Sequence, residues 1–273
     1  MNAAPATTSP ARALAARPAP IAPRPPIPVR RLVDVELRKL ADTRSSRWLL
    51  AAVGAIVVLV VVALGVWGTD QEVAFSSLVS NTAFPLQLLL PLVAVLAVTG
   101  EWSQRGALTT FALVPRRDRV MAAKAVAAVL VSLAATALSF AAGAVGTLVT
   151  AQVRGIKATW DLPPDLALRL VLANLVAVAF GFVVAVVIRS SAPALVSYLA
   201  FMLVVPMLSG VAAGLFGWWA EHGAWLDLSW AMQFVGSPEI TGEQWAQVGT
   251  SALLWIALPL VLGMRRLLRV EIR

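Results

Sequence analysis

Six long apolar runs divide this chain, and the arginines and lysines between them fall almost entirely on alternate sides. Each run is close to the roughly 20 apolar residues that cross a hydrocarbon core. The first runs from Trp48 to Trp67. The others cover about 84–99, 125–151, 167–188, 192–216 and 248–264, and the second is shortened by Pro85 and Pro91. A mean hydropathy of +0.82 is too high for a soluble domain of this length. In lipid, only a helix satisfies its backbone groups within one segment, and the short alternating strands of a barrel do not occur here. The expected fold is therefore an all-α integral membrane protein of six transmembrane helices over residues 48–264.

Orientation follows from the cations. Of the 22 basic residues, all but Arg154, Lys157 and Arg169 lie in the N-terminal 47 residues, the loop after the second run, the turn at Arg189 or the C-terminal tail 265–273. The opposite side holds Asp70, Glu72, Asp161, Asp165, Glu221, Asp227, Glu239 and Glu243. The positive-inside rule places both termini in the cytoplasm of a cell that carries the chain as a multi-pass protein of its plasma or inner membrane. The net charge of +8 is accordingly a signal of topology, split among loops, and nucleic acid is not an expected partner. No cysteine occurs, which excludes disulfides and thiolate metal sites. The single histidine, His222, falls on the outer side, where it reads either as a solvated loop residue or as a ligand. No cleavable signal is expected, because the first apolar run begins near residue 48 without a small-residue cleavage pattern after it.

Residues 1–28 are rich in Pro, Ala and Arg, and such a stretch cannot build a packed core; a disordered cytoplasmic tail is expected. From residue 29 to 47 the pattern changes. Leu32, Val33, Leu37 and Leu40 recur at helical spacing among charged positions, and Glu36 and Lys39 form an i,i+3 pair. This is too short and too charged to span, and predicts an amphipathic elbow helix lying in the membrane plane, in contact with lipid, that turns at Ser45-Ser46 into the first span.

The loop from Glu101 to Lys124 contains a second amphipathic stripe, Ala107, Leu108, Phe111 and Val114, stopped by Pro115 and followed by Arg116, Arg117 and Arg119. Two readings fit: a short helix that seats in a groove on a soluble partner, or a polar loop whose arginines snorkel to lipid phosphates. Beyond the runs, residues 217–247 hold five of the ten tryptophans, among them Trp218, Trp219, Trp225 and Trp230, which favour the headgroup level. Thr241 and Gln244 have capping-box spacing before the sixth run. Asn174 and Gln87 are the strongly polar side chains within the runs, each expected in an interhelical hydrogen bond, and Ser139, Gly143 and Thr147 form a small-residue stripe for close packing.

In Glu101, Gly106, Leu108 to Val114, Pro115-Arg116 and Lys124, in that order, and in the opening Glu36-Leu-Arg-Lys-Leu with Thr43-Arg44, the chain resembles the ABC type-2 permease family, the membrane subunits of ATP-binding-cassette exporters. Arg116 departs from the serine often found after the proline. The resemblance implies that Glu101, Arg105, Gly106, Leu108, Phe111, Pro115, Arg116 and Lys124 couple to a separate ATP-binding subunit through a cytoplasmic coupling helix. It also implies a second permease subunit, identical or different, and short outer helices around Trp218, Trp219, Trp225 and Trp230 that help close an outer gate. ATP and Mg would sit on the partner, since this chain has no Gly-x-x-x-x-Gly-Lys-Ser/Thr sequence and no expected cofactor or catalytic residue of its own. The other classes kept open are an ATP-independent transporter or channel and a noncatalytic membrane scaffold. A membrane enzyme would need clustered acid, histidine or serine groups near an interface, which the sequence does not supply.

The absence of cysteine makes topology testable. Single cysteines at Leu108 and Trp218 should react with a membrane-impermeant maleimide from opposite faces, Leu108→Cys from the cytoplasm alone; labelling of both from one face would refute the orientation.

Overall fold

A computed structural model describes residues 27–103, 117–237 and 239–269. The described residues form ten α-helices, in chain order α1 (Val29–Asp42), α2 (Arg44–Trp67), α3 (Phe75–Ser103), α4 (Arg117–Arg154), α5 (Pro164–Ile188), α6 (Ser191–Leu215), α7 (Gly217–Leu226), α8 (Leu228–Val235), α9 (Gly242–Ala252) and α10 (Leu258–Arg269). A π-helical segment, Leu253–Ala257, joins α9 to α10. Six stretches are long and apolar enough to cross a membrane: Arg44–Trp67, Phe75–Gly100, Asp118–Arg154, Pro164–Ile188, Ser191–Leu215 and Gly242–Leu268. These are the six expected runs, and the described residues form no strand.

Among the boundaries that differ from the sequence expectation, two have a clear local cause. The turn into the first span falls at Thr43, whose extended backbone (ψ 132°) breaks the helix, and Ser46 is buried inside α2. The second span begins at Phe75 rather than near residue 84, because neither Pro85 nor Pro91 ends α3. A helix-internal proline strands the carbonyl four residues earlier. For Pro91 that carbonyl is Gln87, and the Tyr198 hydroxyl from α6 donates to it. The lost backbone bond thus becomes a tie between spans. On another side of the same proline, Gly181 of α5 lies so close that an added Cβ would sit 2.6 Å from the Pro91 Cβ.

The interior is organised around α3, which packs most extensively on α5 and also on α2, α4 and α6. Its core includes Leu86, Leu90, Val95 and Val98 against Val57, Val178, Phe182 and Val186. The expected small-residue stripe of α4 does pack closely: a Cβ at Gly143 would meet Val79 at 2.9 Å, and Ser139 and Thr147 are buried. Asn174 donates to Thr136 Oγ1 at 3.0 Å, joining α5 to α4 as an interhelical hydrogen bond. Outward, the surface is apolar. Leu59, Leu138, Leu203, Met207 and Leu262 are all at least half exposed, which suits hydrocarbon as the surrounding solvent.

At 38 residues, α4 is roughly 57 Å long at 1.5 Å per residue, well beyond the thickness of a bilayer core. Both ends are anchored. Its C-terminal Arg154 donates to the carbonyls of Gly65 (2.7 Å) and Gly68 (2.7 Å) at the end of α2, where a cation complements the helix dipole. Nearby, the Asp161 carboxylate caps the start of α3 by accepting from Ser76 N (3.0 Å) and Ser76 Oγ (2.8 Å). The Thr69–Glu72 turn between α2 and α3 holds the Glu72 carboxyl below its ordinary value, first through the Thr69 backbone N–H and then its hydroxyl.

Tyr198→Phe should leave the Gln87 carbonyl unpaired in an apolar interior. The expected loss is about 1–3 kcal/mol, read as a lowered melting temperature of the purified protein in detergent.

Candidate functional site

Chemistry-bearing side chains gather at the two ends of the bundle. At the end carrying both described termini, α1 lies across α4, with further contacts to α2 and α3. Val33 and Leu40 are buried as the helical pattern predicts, while Leu32 and Leu37 are half-buried at the edge. Between Val33 and Leu40, on the same face, stands Glu36, only 6% exposed. Its Oε2 accepts from Lys124 Nζ of α4 at 2.6 Å, and its Oε1 from Lys39 at 2.8 Å. Lys124 is 1% exposed and also donates to the Ala97 carbonyl of α3 at 3.0 Å. The Glu36–Lys124 pair therefore ties α1 to α4, and the lysine extends the tie to α3. The expected Glu36–Lys39 pair is present, but the sequence reading did not anticipate its extension to Lys124, 88 residues away. A lysine opening an apolar run opposite a glutamate on an apolar helical face was the available signal.

Lys124 was grouped with the loop residues on the strength of the family resemblance. Its ammonium points into the bundle, towards Glu36, so its contribution is to hold the start of α4. Arg105, Gly106, Leu108, Phe111, Pro115 and Arg116 lie outside the described residues, as do residues 1–26 of the expected tail and residues 270–273. Glu101 falls in the last turn of α3.

At the opposite end, the short helix α7 packs on α6 and α9, and α8 on α9, α6 and α5. Asp227 caps α8, with Oδ1 accepting from Ser229 N (2.8 Å) and Ser229 Oγ (2.6 Å). Arg169 of α5, 4% exposed, donates to the carbonyls of Val235 and Ser237 at the far end of α8, and to Asp165 at 2.9 Å. Ala231 and Val235 are fully buried against Ala173 and Val248. The expected capping box is present, Thr241 Oγ1 accepting from Gln244 N and Gln244 Oε1 from Thr241 N. Trp218 is 59% exposed and stacks on His222 with ring centroids 5.5 Å apart. No cluster of potential metal ligands occurs among the described residues. Trp225 and Trp230 are half-buried, and Trp219 donates to Ser209 Oγ at 2.9 Å.

Beneath α8 lies a cavity of about 300 Å³ between α3, α5 and α6. Phe180, Tyr198, Phe201 and Met202 form much of its wall, Met232 and Gln233 of α8 line it from above, and Gln87 and Ser229 add a few polar atoms. An apolar chamber with sparse polar groups orients an amphipathic molecule by those groups while burying its apolar part. The π segment shapes this region: Trp255 packs on Phe201 (4.9 Å) and Phe180 (6.4 Å), and donates to the Leu226 carbonyl at 2.6 Å. Trp255 was not among the expected site residues. A tryptophan inside an apolar run, away from the headgroup level, was a signal that could have found it. No protein-family model matches the sequence, and no curated protein matches it as a relative. The reading of the site rests on its residues and geometry.

Removing Lys124 leaves the buried Glu36 carboxylate paired only with the part-exposed Lys39. Lys124→Met should cost about 3–5 kcal/mol, and the double variant with Glu36→Met should recover much of that loss, measured as a double-mutant cycle of unfolding in detergent.

Proposed function

We propose that this chain is the membrane-spanning permease subunit of an ATP-binding-cassette exporter, forming the translocation path and taking its energy from a separate ATPase subunit. The observation that carries this reading is the buried Glu36–Lys124 pair. It fastens α1 to the start of α4, directly after the loop that bears the Leu108–Phe111 stripe. A push on that loop would move α1 and α4 together rather than spend itself on bending a loose connection. Such a joint suits a machine driven from the cytoplasmic side. In this reading α1 is the in-plane elbow, 107–114 the coupling helix, and both termini are cytoplasmic.

The rest of the chain supports the same reading. It has six stretches long and apolar enough to span, an apolar chamber beneath α8, and no phosphate-binding loop that would let it hydrolyse ATP itself. A second permease subunit would face the first across lipid-exposed apolar surface. By linkage, nucleotide on the partner can bias the spans only through contacts that differ between states. No Asp, Glu, His, Lys or Arg is among the side chains that line the chamber, in keeping with a path that carries no proton relay of its own.

Co-expression with the ATP-binding subunit encoded beside the gene should give a detergent-stable complex with stimulated ATPase activity. Leu108→Asp with Phe111→Asp should cut copurification at least tenfold while membrane insertion is retained. A complex that survives these changes, stimulation included, refutes the coupling role.

A further inference from the structure

A second cavity, of about 260 Å³, lies near the first but shares none of its lining. Its wall brings together Ser209 and Ala212 of α6, Trp219 and Leu226 of α7, Asp227, and Trp255 of the π segment. Asp227 is 4% exposed. Its Oδ1 is occupied by the α8 cap, but its Oδ2 is shut off from solvent without a hydrogen-bond partner. No lysine, arginine or histidine forms an ion pair with it among the described residues. A buried carboxylate in that condition is costly unless a cation compensates it.

The aromatic walls point to the kind of cation. Each indole N–H is already committed, Trp219 to Ser209 Oγ and Trp255 to the Leu226 carbonyl. What the two rings have left for the cavity is carbon surface, which attracts weakly hydrated cations through the ring quadrupole. With those donors consumed, an anion finds little there to bind. A methylated ammonium needs no hydrogen-bond acceptor, only negative charge nearby and aromatic surface around it. We propose that the cavity between Asp227, Trp219 and Trp255 binds a quaternary ammonium group. This site stands apart from the ATP-coupling reading and holds whether or not an ATPase partner exists. The ammonium belongs either to a free solute or to a choline lipid headgroup.

Calorimetric titration of the purified full-length protein with tetramethylammonium chloride should show saturable binding that sodium chloride and the neutral isostere 3,3-dimethylbutanol do not reproduce. Asp227→Asn preserves the α8 cap, because asparagine caps as well as aspartate, and should weaken binding at least tenfold. Trp219→Leu should weaken it several-fold, whereas Glu221→Gln, on the exposed face of α7, should leave it unchanged. Nanodiscs separate the two sources. Weaker tetramethylammonium binding in phosphatidylcholine than in phosphatidylethanolamine discs, whose headgroup has the same net charge without the methyl groups, supports a headgroup ligand, and equal binding supports a free cation. Absence of saturable binding to the wild-type protein overturns the site, as does equal affinity for the neutral isostere or unchanged affinity in both Asp227→Asn and Trp219→Leu.

Discussion

A glutamate and a lysine taken out of water 88 residues apart set the constraint on which one end of this bundle depends. Each ion alone would be expensive to bury, and their 2.6 Å contact, with Lys39 and the Ala97 carbonyl as further partners, makes the arrangement tolerable. Because the two charges compensate each other only in one geometry, the pair specifies where α1 crosses α4. Hydrophobic contacts of Val33 and Leu40 could slide by a turn with small loss. The ion pair cannot.

Polar groups elsewhere follow the same economy of placement. Arg154 and Arg169 are turned onto backbone carbonyls at helix ends, and Asp161 and Asp227 onto backbone N–H groups at helix starts. Inside the bundle, Tyr198 serves the carbonyl that Pro91 strands, and Asn174 serves Thr136. Asp227 stands out because only one of its oxygens is used in this way. The carboxylate is held by the fold but not neutralised by it.

The spans were legible in the sequence because hydrocarbon admits so few backbone solutions that run length nearly decides the element. The Thr241–Gln244 cap and the Ser139–Gly143–Thr147 contact were legible because each is local or periodic. Less was readable where one interaction overrides another. Pro85 and Pro91 look like stops, yet tertiary contacts keep α3 helical through both and extend it back to Phe75. Glu36 reads as the charged partner of Lys39, although its place between Val33 and Leu40 puts it on the buried face. The π segment at Leu253–Ala257 carries no local sequence mark, and it holds Trp255 against Phe201 and the Leu226 carbonyl. The chamber and the Asp227 cavity are assembled from segments far apart in the chain, which periodicity does not bring together.

One consequence of the length of α4 concerns how the two water-facing ends communicate. An unbroken rod of roughly 57 Å, pinned by Lys124 near one tip and Arg154 at the other, acts as a lever whose ends cannot move independently. A tilt of about 5° pivoted near one tip would carry the other through roughly 5 Å. Such a displacement would drag the end of α2 along through the Gly65 and Gly68 carbonyls, so a small rotation on one face of the membrane becomes a change in shape on the other.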